Sequence, residues 1–185
     1  MAGYGWGIAH DIASRKRLPF AKPPLMLVMV ASHITAILRL ALKSPRFPLP
    51  RWLQLVFLVL APLSFATMLY SLLFEIPLRK AWLERGHMDE LVTDGTYALA
   101  RHPGVIWYTC WVVFTALAAR SWRLLAAAPI LVAGDVGHVA FQERAVLTRE
   151  FGEAYREYQR STPFVVPTRA SVRNFLDGLR RDANA

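Results

Sequence analysis

Arg101-His102-Pro103, Glu143 and the pair Tyr155 and Tyr158 are the residues of this chain best suited to chemistry. They stand beside apolar stretches of near membrane length, where polar groups cost free energy unless they line a cavity or sit at the interface. Pro103 opens an apolar helix, a position where its missing N–H costs nothing. His102 then lies at the mouth of that helix, and a helix N-terminus flanked by Arg and His favours an anion such as a carboxylate or phosphate. The same residues also suit a plainer role, with Arg101 snorkelling to headgroups and His102 capping the helix. Glu143 ends the apolar run 124–141, where a carboxylate opposes the helix dipole and serves stability poorly. It can pair with Arg101 or Arg144, or hold a ligand's hydroxyl or ammonium. Phe151-Gly152-x-x-Tyr155-x-x-Tyr158 puts two phenols on one helix face. They either seat a surface helix on a bilayer or form an aromatic wall for a flat or cationic ligand.

Asp135, His138 and Gln142 follow at i, i+3 and i+7 and share a helix face. Lipid exposure of an Asp and a His is expensive, so that face is expected to point into a bundle. It reads as a polar cavity wall, or as an interhelical hydrogen bond to His33, Ser64 or Thr67. One Asp and one His are too few ligands for a metal site, and none is assigned. Cys110 is the single cysteine, so no disulfide or CxxC site exists within the chain; it reads as a small buried hydrophobe. No Gly-rich phosphate loop, HExxH or G-x-S-x-G is present.

The elements that must position these residues are helices. The chain has 185 residues, 55% of them hydrophobic, and a mean hydropathy of +0.29. Apolar residues fall in four runs, at 24–42, 52–74, 104–119 and 124–141. The expected fold is an all-α, polytopic membrane bundle of about four transmembrane helices with a C-terminal cytoplasmic helical cap. Pro62 should kink the second helix or open its ladder. Residues 104–141 form a helical hairpin around the tip Arg120-Ser121-Trp122-Arg123. Four parts follow: an N-terminal segment 1–23, two transmembrane helices in 24–74, a core 75–167 and a basic tail 168–185. Met1 to Lys22 lacks the apolar stretch of a cleavable signal peptide.

The formal net charge is +9. Basic residues flank the apolar runs and form no single stripe, which points to anionic lipid headgroups and away from nucleic acid. Arg15, Lys16, Arg17 and Lys22, then Arg79, Lys80, Arg85 and Arg101, then the arginines of the tail, outweigh Lys43, Arg46, Arg51, Arg120 and Arg123. By the positive-inside rule both termini and the 75–103 connection face the cytoplasm of a cell inner or plasma membrane. The tail should break at Gly152 and stop at Pro163 and Pro167. Beyond it, 169–185 is weakly amphipathic, either lying on the membrane surface or fraying.

Gly95-x-Tyr97-x-x-x-Arg101-His102-Pro103, the hairpin, Glu143, Phe151-Gly152-x-x-Tyr155-x-x-Tyr158 and the Pro163/Pro167 ending together resemble the isoprenylcysteine carboxyl methyltransferase and phospholipid methyltransferase family. The likeness covers about the C-terminal half. It implies an integral-membrane enzyme that uses S-adenosylmethionine to methylate a lipophilic acceptor, at the cytoplasmic face. By position, Tyr97, Arg101, His102, Pro103 and Tyr108 would shape the cofactor pocket. Glu143 would face the cofactor or the reacting centre, and Tyr155 and Tyr158 would close the pocket. An amine or phenol acceptor would draw on Glu143 or His138 as base, whereas a carboxylate or thiolate would need none. The chain departs from the family pattern at Val105, Trp107 and Arg144, and has His138 and Gln142 where prenylcysteine enzymes tend to carry an arginine. An NADPH-dependent reductase of the sterol-reductase type and a non-catalytic lipid-binding protein are the competing readings.

Overall fold

A computed structural model describes residues 4–5, 8–9, 22–75 and 91–182. The basic clusters at 15–17 and at Arg79, Lys80 and Arg85 lie outside these residues. The described chain is helical, without strands. Helix α1 spans Lys22–Leu42 and α2 spans Arg51–Tyr70, the latter running on into a wider π-helical turn, Ser71–Glu75. A short α3, Thr96–Leu99, leads into α4, Pro103–Ala118. Helix α5, Trp122–Gln142, passes through a second π-helical turn, Glu143–Leu147, into α6, Thr148–Ser161. Helix α7, Arg169–Asp182, ends the described chain.

Three helices share the core. Ile37 and Ala41 of α1, Tyr108, Val112 and Ala116 of α4, and Leu124, Ala128 and Leu131 of α5 form one buried cluster. Helix α2 packs along another face of α4: Phe57 stacks on Phe114 at 5.6 Å, and Phe65 meets Trp111 at 4.7 Å. Helix α2 continues through Pro62, which lies inside it and removes one bond from its ladder. The loss of one ladder bond is tolerated where helix packing holds the segment.

One end of the bundle is an interlock. The hairpin tip has Arg120 at φ 55°, a conformation uncommon for a residue with a Cβ. It is held because the Arg120 carbonyl accepts from Phe47 N–H, and its Nε donates to the Phe47 carbonyl, both at 3.0 Å. Ser121 Oγ accepts from Leu124 N–H and so caps α5, while donating to the Leu40 carbonyl at 2.9 Å. The 43–50 connection and the hairpin tip are therefore at one end. The turns that carry Ser71, Arg101 and Glu143 are at the other.

Two helical runs, Arg51–Glu75 and Trp122–Ser161, are long and apolar enough to cross a membrane, and only 17% of each apolar window is buried. A soluble core helix would hide most of that surface. Here Trp52 and Val59 are each 66% exposed. The apolar parts of α1 and α4, Leu27–Leu42 and Pro103–Ala118, are shorter, so among the described residues two helices of membrane-crossing length are shown where four were expected.

Candidate functional site

Glu143 is the centre of the site. It is the first residue of the second π-helical turn, at the point where the apolar part of the α5–α6 run ends. Wide turns of this kind re-aim side chains and are frequent at functional sites. Thr148 closes the turn, its hydroxyl and its backbone N–H both donating to the Glu143 carbonyl. The Glu143 side chain is buried. Its Oε1 accepts from Arg101 Nε at 2.8 Å, His102 Nε2 at 2.9 Å and the Tyr155 hydroxyl at 2.9 Å. Its Oε2 accepts from Gln159 Nε2 at 3.1 Å and, more weakly, from Arg101 Nη2 at 3.5 Å.

Burial alone would raise the Glu143 pKa. The hydrogen bonds from His102, Arg101 and Tyr155 outweigh it and lower the value from 4.5 to about 2. Glu143 is thus a carboxylate at neutral pH, and a poor general base, because an effective base has a pKa near the working pH. The anion that Arg101 and His102 were expected to attract is the chain's own Glu143. His102 stands at the N-cap position of α4, but its side chain makes no cap hydrogen bond; its Nε2–H goes to the carboxylate instead.

The C-terminal tail completes the site. Arg101 Nη1 donates to the carbonyls of Gln159 at 3.1 Å and Thr162 at 2.7 Å. The backbone N–H groups of Arg101 and His102 donate to the carbonyls of Pro163 and Phe164. The Phe164 ring meets His102 edge-on at 5.1 Å and lies 5.6 Å from the Arg101 guanidinium carbon, within cation–π range. Pro163 therefore does more than stop a helix: the turn that it begins lies across 101–102.

A second layer holds the 95–97 turn. Gly95 has φ 55°, ψ −134°, a region open to glycine and strained for other residues. An added Cβ would also run into the Glu75 carboxylate. Glu75 accepts from Thr96 N–H at 2.8 Å and from the Thr96 hydroxyl, which also bonds Ser71 Oγ at 2.9 Å. Tyr97 donates to the Ser71 carbonyl at 3.3 Å, and Tyr158 donates to the Tyr97 carbonyl at 2.7 Å. Tyr155 and Tyr158 are buried, so they do not seat α6 on a bilayer. Burial pushes both phenols above their ordinary pKa, and the Glu143 charge pushes the same way.

Of the residues expected at the site, Arg101, His102, Glu143 and Tyr155 converge on one carboxylate. Tyr97 and Tyr158 join through the Tyr97 carbonyl, and Pro103 is buried at the start of α4. Tyr108 and His138 fall elsewhere. The Tyr108 hydroxyl meets that of Tyr4 at 3.1 Å, and its ring faces His33 at 6.1 Å. His138 has Asp135 and His33 as electrostatic neighbours. That face of α5 does carry a polar group within the bundle, as its spacing suggested. Ser64 and Thr67 are not part of it, since each donates to a carbonyl of its own helix, Leu60 and Leu63. Glu75, Gln159 and Phe164 escaped the sequence reading. Only Glu75 carried a signal there, as a carboxylate closing an apolar run. No group of His, Cys, Asp and Glu among the described residues could hold a metal ion. No family model, curated protein or solved structure matches this chain.

Proposed function

We propose that the chain is an integral-membrane, S-adenosylmethionine-dependent methyltransferase acting on a lipophilic acceptor at the cytoplasmic membrane face. The observation that carries this reading is the convergence of Arg101, His102 and Tyr155, from two distant stretches of sequence, on the buried Glu143 carboxylate. These are the residues whose order and spacing resemble the methyltransferase family. The site also lies where the apolar part of a membrane-length helix gives way to a polar tail, the depth at which a water-soluble cofactor and a lipid-borne acceptor can meet.

The side chains suit such a cofactor. A sulfonium that carries an adenine, an ammonium and a carboxylate asks for aromatic faces, an anion and cations. Tyr97, Tyr158 and Phe164 bring aromatic rings to one end of the bundle, beside the ion pair of Arg101 and Glu143. When bound, S-adenosylmethionine supplies an activated methyl group for in-line displacement. The chain's part is to align the acceptor and exclude water. Glu143 does this indirectly, by fixing Arg101, His102 and Tyr155. A carboxylate or thiolate acceptor suits this arrangement, because it needs no base.

Isothermal titration of the detergent-purified protein with S-adenosylhomocysteine, with NADPH as control, tests the reading. Saturable binding of S-adenosylhomocysteine alone is the expected result. Binding of NADPH alone would move the protein to the reductases. Binding of neither by a folded sample would make it a non-catalytic membrane protein.

A further inference from the structure

Helix α7 divides into three strips. Ser171, buried, and Phe175, half-buried, mark the side turned toward the protein. Ser171 fixes the start of the helix: its Oγ accepts from Thr168 N–H at 2.9 Å, and Thr168 Oγ1 accepts from Ser171 N–H at 3.2 Å. Next round the helix come Val172, Leu176 and Leu179, at i, i+4 and i+7, exposed by 38%, 46% and 48%. Arg169, Arg173 and Arg180, at i, i+4 and i+11, border that apolar strip on its other side. Asp177 and Asp182 are the only acidic residues of α7, against four arginines.

An apolar strip alone says nothing about what covers it. The row of arginines beside it does. A guanidinium row one helix strip from exposed leucines matches a surface with apolar chains below and phosphates above. Helix α7 packs on α3, so it lies at the Glu143 end of the bundle, beyond the apolar parts of α2 and α5. We infer that α7 is an interfacial anchor that lays Val172, Leu176 and Leu179 into an anionic lipid surface beside the site, with Arg169, Arg173 and Arg180 on lipid phosphates. This rests on the membrane reading of the chain but not on methyl transfer. Each arginine near an anionic surface should strengthen docking about fivefold, and salt should weaken it.

The test uses the full chain in nanodiscs, with Cys110→Ala removing the native thiol. An environment-sensitive fluorophore is placed on Leu176→Cys, on Asn174→Cys across the helix, or on Val59→Cys in the exposed apolar face of α2. Acyl-chain spin-labelled lipid quenches from the membrane and iodide from water. The expected result is lipid quenching at 176 and 59, iodide quenching at 174, and quenching at 176 that rises with phosphatidylglycerol content. That rise should vanish in Arg169→Gln/Arg173→Gln/Arg180→Gln. Lipid quenching at 59 with iodide quenching at 176 would overturn the anchor and leave the membrane reading standing. Shielding of 176 from both quenchers would also overturn it, by assigning the strip to a protein partner or a second copy. Absence of lipid quenching at 59 would remove the membrane reading itself.

Discussion

The Tyr155 hydroxyl reaches Glu143 Oε1 at 2.9 Å although twelve residues separate the two. In an uninterrupted α-helix that spacing would carry them roughly 18 Å apart along the axis. The contact exists because Gly152 leaves helical geometry at φ 56°, ψ −122° and turns the rest of α6 back on the chain. Replacing Tyr155 by Phe removes a hydrogen bond to a charged acceptor. This should cost about 1.5–3 kcal/mol of stability, read by denaturant unfolding in detergent. A smaller loss would mean that water takes the place of the hydroxyl.

Gly152 should be intolerant of any side chain. Nothing lies within 4 Å of the place a Cβ would take, so the obstacle is the backbone conformation and not a clash. Gly152→Ala should lose about 1–3 kcal/mol. It should also weaken S-adenosylhomocysteine binding, because the tail can no longer bring Tyr155 and Gln159 to Glu143. Full binding in this variant would show that the tail contacts do not shape the cofactor pocket.

Glu143→Gln should be among the most damaging single changes. It leaves the Arg101 guanidinium, only 12% exposed, without its counter-charge, a loss of about 3–5 kcal/mol for a buried pair. The pH dependence has a definite sign. The Glu143 pKa is lowered on folding from 4.5 to about 2. Its stabilising contribution is therefore complete above the upper value and is lost as pH falls toward the lower one. Melting temperatures recorded through that window should fall more steeply for the wild type than for Glu143→Gln. Parallel curves would assign acid sensitivity to other groups.

Tyr158→Phe should act at a distance from the carboxylate. The lost hydroxyl leaves the Tyr97 carbonyl without the donor it has at 2.7 Å, a penalty of about 1–3 kcal/mol for a buried acceptor. The pH profile attributed to Glu143 should be unchanged in this variant. A flattened profile would show that the two tyrosines act as one network.

Trp107 offers the opposite case. Its Nε1–H is buried and has no hydrogen-bond partner among the described residues, on the face of α4 that also carries Gly104 toward Leu72 of the first π-helical turn and Trp111 toward Phe65 of α2. Trp107→Phe removes an unpaired donor as well as ring volume, and the two effects oppose each other. Stability should change by no more than about 1 kcal/mol. A large loss, read by the same unfolding assay, would reveal a partner for the indole.

The helices were legible in the sequence because apolar runs, Pro103 and Gly152 are local signals. The convergence on Glu143 was partly legible: Arg101, His102 and Tyr155 stood out by type and spacing. Glu143 stood out too, with Arg101 or Arg144 as its expected partner; that Arg101, His102 and Tyr155 all share its carboxylate did not, because contacts across 12 to 42 residues leave no periodicity to read. Tyr108 was grouped with the site by position in the family resemblance. Helix geometry carries it about 9 Å further along α4, among Tyr4 and His33. The π-helical turns at 71–75 and 143–147 were not legible. They arise from tertiary demands on Ser71, Glu75 and Glu143, and no local residue preference announces them.

The way Arg101 is held bears on how the protein is made. Its guanidinium needs the Thr162 carbonyl, and its backbone N–H needs that of Pro163. During synthesis Arg101 leaves the ribosome some sixty residues before those partners, a delay of several seconds at about 5–20 residues per second. Through that interval the hairpin interlock at Arg120 and Phe47 can already close, while the Glu143 end stays open to water and to chaperones. The order of synthesis thus allows assembly from one end of the bundle to the other, and a ribosome stalled before Thr162 would hold a chain that lacks the partners its second end needs.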